Sequence, residues 1–295
     1  MSEIIELIKV LRDRTGAGIM DCKRALVANN NDVEASISWL REKGIAKVAK
    51  KSSRIAAEGL STVKIEGDAA VVVEVNCETD FVAHSDDFVA LVDECADGIL
   101  AKRPGCVNCA KEVELKRGST LEQAFTDATI KLGEKLDLRR FEVLDKKAGQ
   151  VFGKYIHMKG KISALVLLNG GNETLAKGIA MSVAASNPQY IKFEDIPQEA
   201  LDKEMEIQSE LASQDESFAK KPEEIRKKIL SGRVEKILGE QILIKQEYVL
   251  DSSKTVETVL KENNAQIVKF VRYQVGEGLE KRSDDFASEV MNQVK

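Results

Sequence analysis

Few residues of this 295-residue chain have the types and spacing that covalent or metal chemistry needs. Cys106-Val107-Asn108-Cys109 is a lone C-x-x-C with no second pair to match it. His84 and His157 are the only histidines, so a zinc site would have to recruit Cys22, Cys77 or Cys95, and no metal site is expected. Cys77 and His84 lack a third group to orient the imidazole and sit in an acidic stretch, which disfavours a thiolate nucleophile. Gly149-Gln150-Val151-Phe152-Gly153-Lys154-Tyr155 is one residue short of a phosphate loop and lacks the Ser or Thr that would hold Mg²⁺. The expectation is therefore a protein with no catalytic residues and no cofactor, working by binding. One segment has the composition for that: Asn76-Cys77-Glu78-Thr79-Asp80-Phe81-Val82-Ala83-His84 sets an aromatic ring beside a carboxylate among polar neighbours. Phe81 either folds back into a core, as large apolar side chains usually do, or stands out as a working tip.

Composition narrows the partners. With 43% hydrophobic and 32% charged residues the chain can bury more than one ordinary core. Its net charge of −5 supplies no overall field for nucleic acid or anionic lipid, and 5% aromatic residues offer little for base stacking. The start, Met1-Ser2-Glu3-Ile4-Ile5-Glu6, lacks a basic region and a long apolar run, and no later stretch is apolar enough to span a bilayer. A cytoplasmic protein with no membrane association is expected. The odd number of scattered cysteines fits a reducing compartment, most of them acting as small hydrophobes.

The elements that must position the tip read in order. Ile4, Leu7, Ile8 and Leu11 make a helical stripe that Thr15-Gly16-Ala17-Gly18 interrupts, and residues 19–28 resume it. Asn31 or Asp32 caps a third helix, with Glu34 placed for a capping box, Val33, Ile37 and Leu40 inward, and Gly44 as its end. Residues 47–54 form a basic helical linker, with Lys47, Lys50, Lys51 and Arg54 able to share a face. At residue 60 the period becomes two: residues 60–66 alternate, Gly67-Asp68 turns, and residues 69–75 are an apolar, valine-rich run, so a hairpin with one buried strand is predicted.

The same scheme recurs at residues 155–168, with Gly160 at the turn, and the two buried strands end alike at Asn76 and Asn169. Each hairpin is followed by an amphipathic helix (88–99; 175–185), a helix opening Thr120-Leu121-Glu122 or Thr255-Val256-Glu257, and a strand (138–143; 267–274). An internal duplication follows, each half a small antiparallel sheet backed by helices, and the fold class is α+β. The halves differ twice, and duplicated scaffolds tend to carry function where they differ. The first half spends residues 77–87 on a gap that the second crosses with residues 170–174. The second half inserts residues 188–250, where Leu201, Met205, Gln208 and Leu211, then Ile225, Ile229 and Val234, predict two charged helices folded back at Lys220-Lys221-Pro222. Ser283 or Asp284 caps a last helix carrying Phe286, Val290 and Met291. The predicted layout is 1–54 three-helix domain and linker, 55–148 first core half, 149–187 with 251–278 second core half, 188–250 helical hairpin, and 279–295 C-terminal module.

Three separated stretches resemble one family in order along the chain. Glu74-Val75-Asn76-Cys77-Glu78-Thr79-Asp80-Phe81-Val82-Ala83 is similar to the signature segment of elongation factor Ts. Residues 11–26 (LRDRTGAGIMDCKRAL) resemble that family's ubiquitin-associated-like N-terminal domain, with Ile19 departing mildly from a frequent methionine. Residues 270–278 (FVRYQVGEG) with Asp285-Phe286-Ala287 are similar to its last core strand and C-terminal module. The resemblance implies a non-enzymatic guanine-nucleotide exchange factor that docks on GDP-bound elongation factor Tu. Thr79, Asp80, Phe81 and Val82 would then dislodge the partner's Mg²⁺, and Arg12, Ile19 and Met20 would grip the partner. His157 matches a partner-contacting histidine of the family, yet alternates with Ile156 and Met158 on a strand and equally suits a residue facing water. The charged hairpin could pair two copies, as a homodimer or a 2:2 complex, or touch the partner. Two other readings remain: a helix-binding, oligomerising interaction protein without exchange activity, and a nucleic-acid binder using Lys47, Lys50, Lys51 and Arg54.

Overall fold

The computed structural model describes residues 2–214, 218 and 221–280. They divide into two units, one holding the described residues up to Val143 with Ile156–Ser163 and those from Tyr273 on, the other Leu144–Tyr155 with Ala164–Arg272. The expected C-terminal helix on Ser283, Asp284, Phe286, Val290 and Met291 lies outside the described residues. Among the described residues no helix is long and apolar enough to cross a membrane.

In the first unit the opening apolar stripe becomes α1 (Ser2–Thr15), packed with α2 (Ile19–Ala28) and α3 (Val33–Lys51). Leu11, Ala17, Cys22, Ala25, Leu26 and Leu40 form their core, with Leu7, Ile8, Val33 and Ile37 against it. Asp32 is the residue that caps α3, its Oδ1 accepting the Ala35 amide at 2.9 Å. That registers Ala35 at the third helical position, so Glu34 makes no capping box and instead binds Arg14 Nη1 at 2.6 Å. Gly44 does not end the helix either, for α3 runs on to Lys51. A Cβ at Gly44 would lie 2.0 Å from Ile130 Cδ1, so this glycine is a point of close approach between helices.

The period-two segments form β1 (Glu58–Glu66) and β2 (Ala69–Cys77), paired antiparallel from Glu58↔Cys77 to Glu66↔Ala69. A one-turn helix α4 (Asp80–Ala83) follows, then α5 (Asp86–Lys102), the short α6 (Val107–Lys111), α7 (Leu121–Leu132) and β3 (Asp137–Asp145). The sheet order β1-β2-β3 puts β2 in the middle, and every residue of it is buried. Phe88, Leu91, Cys95 and Ile99 of α5 and Leu121 and Ala124 of α7 complete that core. Thr120 caps α7 with a full capping box to Gln123, as its opening triplet predicts.

Glu74 is the unusual member of β2, a fully buried carboxylate. Its oxygens accept from Arg139 Nη1 at 2.9 Å, Arg140 Nε at 2.6 Å, Asn76 Nδ2 at 3.3 Å and the Gly276 amide at 2.9 Å. Four donors, two of them cationic, are what a buried charge needs to be tolerated. Gly276 reaches it at φ 73°, where an added Cβ would sit 2.2 Å from the Ala57 carbonyl oxygen.

The second sheet has the order β4-β5-β8, from β4 (Gln150–His157), β5 (Ile162–Asn169) and β8 (Gln266–Gln274). One 3-10 turn, Met158–Gly160, joins the first two. Again the second strand is central and buried, backed by α8 (Glu173–Ser186). Thr255 caps α11 (Val256–Glu262), its Oγ1 accepting the Thr258 amide at 3.2 Å, so the duplicated order of elements is real. The stretch read as a near-match to a phosphate loop is strand β4, and a Cβ at Gly153 would lie 2.0 Å from the Ala176 carbonyl carbon.

The insertion holds α9 (Gln198–Ser213) and α10 (Glu223–Gly239) packed together, followed by a small hairpin of β6 (Glu247–Tyr248) and β7 (Asp251–Thr255). Ile196, Val234, Leu238 and Ile242 form the core at its base. The inward row agrees with the expected one in part: Gln208 and Val234 are buried as expected, but Ala212, Phe218 and Leu238 are buried too, and Met205, Leu211 and Ile225 are exposed. Leu201, Gln208 and Ala212 follow seven- and four-residue spacing, and Leu211 falls one position off that row. Lys220 of the expected fold-back lies outside the described residues, while Pro222 stands immediately before α10.

Candidate functional site

The segment singled out for its ring and carboxylate leaves the buried end of β2 and turns at once. Cys77 is fully buried, its Sγ donates to the Thr79 carbonyl at 3.1 Å, and burial, with Glu134 nearby, pushes its thiol up to about 12. Thr79 is extended (φ −129°, ψ 155°) and caps α4, its Oγ1 accepting the Val82 amide at 3.3 Å. Within this single turn Ala83 is buried and Val82 packs half-buried on the first core. Phe81 is 85% exposed. Asp80 is exposed beside it, and its carboxylate has no partner among the described residues. The open alternative for Phe81 is thus decided: the ring stands in solvent.

An exposed Phe on a one-turn helix would ordinarily be a loose feature, since so short a helix has little stability of its own. Here its base is clamped. Glu134, in the turn between α7 and β3, accepts the amides of Glu78 and Thr79 with Oε2, both at 3.0 Å, and the Thr79 hydroxyl with Oε1 at 2.6 Å. Glu78 reciprocates by accepting the Lys135 amide at 2.6 Å. Arg54 Nη1 also reaches the Glu78 carboxylate, at 3.2 Å and 3.3 Å, and Lys135 Nζ donates to the Arg54 carbonyl at 3.0 Å. Lys51 donates to the Gly133 carbonyl. Residues 51–54, 78–79 and 133–135 therefore meet at one knot behind the exposed turn. On its far side Ser85 closes α4 onto α5, its Oγ donating to Val82 O at 2.7 Å and accepting the Phe88 amide at 3.4 Å.

The same contacts engage the other reactive and basic groups of this region. His84 bonds the Asp80 carbonyl through Nδ1 at 2.7 Å while the Cys77 thiol points to Thr79, so these two groups engage different partners. Lys51 and Arg54 of the basic tract are committed to Gly133 and Glu78, which makes that tract a joint within the first unit. Among the described residues no group of three or more His, Cys, Asp or Glu is arranged to hold a metal ion. The cysteines divide into two kinds. Cys22, Cys77 and Cys95 are buried and free, but Cys106 and Cys109 are exposed and joined to each other.

Arg12 is exposed near the end of α1, and Ile19 (54%) and Met20 (64%) are exposed in the first turn of α2. His157 ends β4 between Ile156 and Met158, all three are exposed, and the chain leaves the strand at Met158 with φ 47°. The structure brings Thr79 to Val82 together in one turn and leaves His157 outside it. Glu134 and Arg54 belong to the site and were not singled out for it. Their partners lie 55 and 24 residues away, and the only local signal is Gly133, whose αL conformation ends α7 and places a polar turn next to the tip.

Residues 78–277, about two thirds of the chain, match the family model described as elongation factor TS. The chain belongs to the elongation factor Ts family. Membership gives it a part in translation elongation, within protein biosynthesis. The matched span begins at Glu78, so it contains α4, the Glu134 clamp, β3 and the second sheet, while the three-helix module and the β1–β2 hairpin precede it. Elongation factor Ts proteins are nucleotide exchange factors and not catalysts of covalent chemistry.

Proposed function

We propose that this chain binds GDP-bound elongation factor Tu and promotes GDP release, with α4 as the element that disturbs the partner's Mg²⁺ and phosphate site. The observation that carries this reading is the 85% exposed Phe81 on a turn whose base is clamped by Glu134. A ring held in water by a fixed backbone is ready to enter a partner without first being ordered, and such preorganisation lowers the cost of binding. Mg²⁺ bridges nucleotide phosphate oxygens and offsets their charge, so moving the elements that hold it removes much of the nucleotide's affinity. Asp80 brings a carboxylate toward the phosphates and disfavours the bound arrangement.

Linkage sets the scale. The factor weakens GDP only as much as GDP weakens the factor, at about 1.4 kcal/mol per tenfold. A small tip needs a wider grip, and Arg12, Ile19, Met20 and His157 are the residues proposed to provide it. The site of action is the cytoplasm, and neither nucleic acid nor membrane takes part. The test is fluorescent-GDP release from elongation factor Tu, with wild type and Phe81→Ala. Fully burying a Phe stabilises a complex by about 1.5–3 kcal/mol, so the mutant should lose about 10- to 100-fold in stimulated release with an unchanged melting temperature. Binding to elongation factor Tu without faster release by wild type would instead make the chain an interaction protein.

A further inference from the structure

We infer that Cys106 and Cys109 form a reversible dithiol–disulfide site that reacts with low-molecular-weight disulfides of the glutathione class and leaves the other three cysteines untouched. The pair is independent of the exchange reading. It lies just past the C-terminal end of α5, about 25 Å along that helix from Ser85, which caps the end next to the exposed turn.

The inference rests on how the five cysteines are divided. Cys22, Cys77 and Cys95 each have no exposed surface, and burial raises the thiol of each. A buried, protonated thiol neither meets a reagent nor attacks it. Cys106 and Cys109 are both exposed, with Cα atoms 5.1 Å apart, within the range a disulfide spans without backbone movement. The Cys109 amide donates to Cys106 Sγ at 3.1 Å, so one tight turn holds the two cysteines against each other. The ring encloses only the two residues between the cysteines, so it removes little conformational freedom from the unfolded chain and is poorly suited to act as a staple. Reversibility suits it better.

The reaction is thiol–disulfide exchange. The Cys106 thiolate attacks one sulfur of the small disulfide, forming a mixed disulfide and expelling one small thiolate. The Cys109 thiolate then attacks Cys106 Sγ, closes the ring and expels the second. The protein's two thiols lose two electrons and two protons, and the reagent leaves as two thiols. A small-molecule or protein dithiol reverses it.

The full chain, reduced and freed of reductant, is equilibrated in graded ratios of reduced to oxidised glutathione, quenched in acid, alkylated after unfolding and weighed intact. The expected result is a concerted loss of two alkyl groups from the five, mapped to a Cys106–Cys109 link, with Cys106→Ser and Cys109→Ser each retaining one glutathione on the remaining cysteine. Alkylation of the native reduced protein should modify this pair more than about 10-fold faster than the buried three. Five alkyl groups at every ratio, loss from Cys22, Cys77 or Cys95, or a glutathione adduct on wild type that never resolves would each overturn the assignment.

Discussion

Removing the Glu134 carboxylate leaves the amides of Glu78 and Thr79 and the Thr79 hydroxyl without their acceptor. These groups are only part-buried, so water replaces some of what is lost, and Glu134→Ala should cost about 1 kcal/mol of stability, the lower end for an unsatisfied donor. Its effect on stimulated GDP release should be larger, because the turn carrying Phe81 loses its fixed base. Glu134→Gln keeps one oxygen for the two amides and should fall between. A cycle with Phe81→Ala decides the route: if Glu134 acts through the ring, the double mutant releases GDP no more slowly than Phe81→Ala alone, whereas multiplying defects would mean that Glu134 contributes elsewhere. None of this clamp could be read from the sequence. The resemblance pointed to Thr79, Asp80, Phe81 and Val82, yet a hydrogen bond spanning 55 residues leaves no local pattern.

Glycine in a helix has two meanings, and Gly44 shows how they are confused. Read as a stop it should end α3, but it continues the helix and makes room for Ile130 of α7. Gly44→Ala should therefore lower the melting temperature despite the helix propensity of about 1 kcal/mol that alanine adds. In an Ile130→Ala background the obstruction is gone and the same substitution should become neutral or stabilising, so absence of that sign change in thermal melts would show that the contact does not matter. The helix starts were legible because capping is local, as at Thr120 and Thr255, and the buried strands because a valine-rich run has few other homes. The hairpin's inward row was legible only in part, since Ala212 is chosen over Leu211 by the packed partner helix and not by hydrophobicity. Replacing residues 204–231 with a short Gly/Ser turn spares the core at Ile196, Val234, Leu238 and Ile242. Basic exchange should survive this within about threefold, because α4 lies in the other unit; a folded deletion protein unable to release GDP would refute that.

For the molecule acting on its partner, the central question is how much leverage passes through the metal. A pure Mg²⁺ wedge loses nearly all its advantage once Mg²⁺ is removed, whereas a factor that levers other elements keeps it. Phe81 and Asp80 supply the metal-linked part of this scheme and the wider grip the remainder, so Phe81→Ala should matter much less in EDTA than in Mg²⁺. Measuring GDP release for wild type and Phe81→Ala in both conditions gives a four-way cycle, and an equal mutant defect with and without Mg²⁺ would rule the metal role out. The buried Glu74 carboxylate also ties together parts of the chain made far apart in time. Arg139 and Arg140 follow it by 65 and 66 residues, but the Gly276 amide follows by 202. At about 5–20 residues per second of synthesis, Glu74 waits about 10–40 s for that last donor. Through this interval Arg139 and Arg140 can pair the carboxylate but one donor is missing, so the set of partners around Glu74, though begun early, is complete only after β8 has left the ribosome.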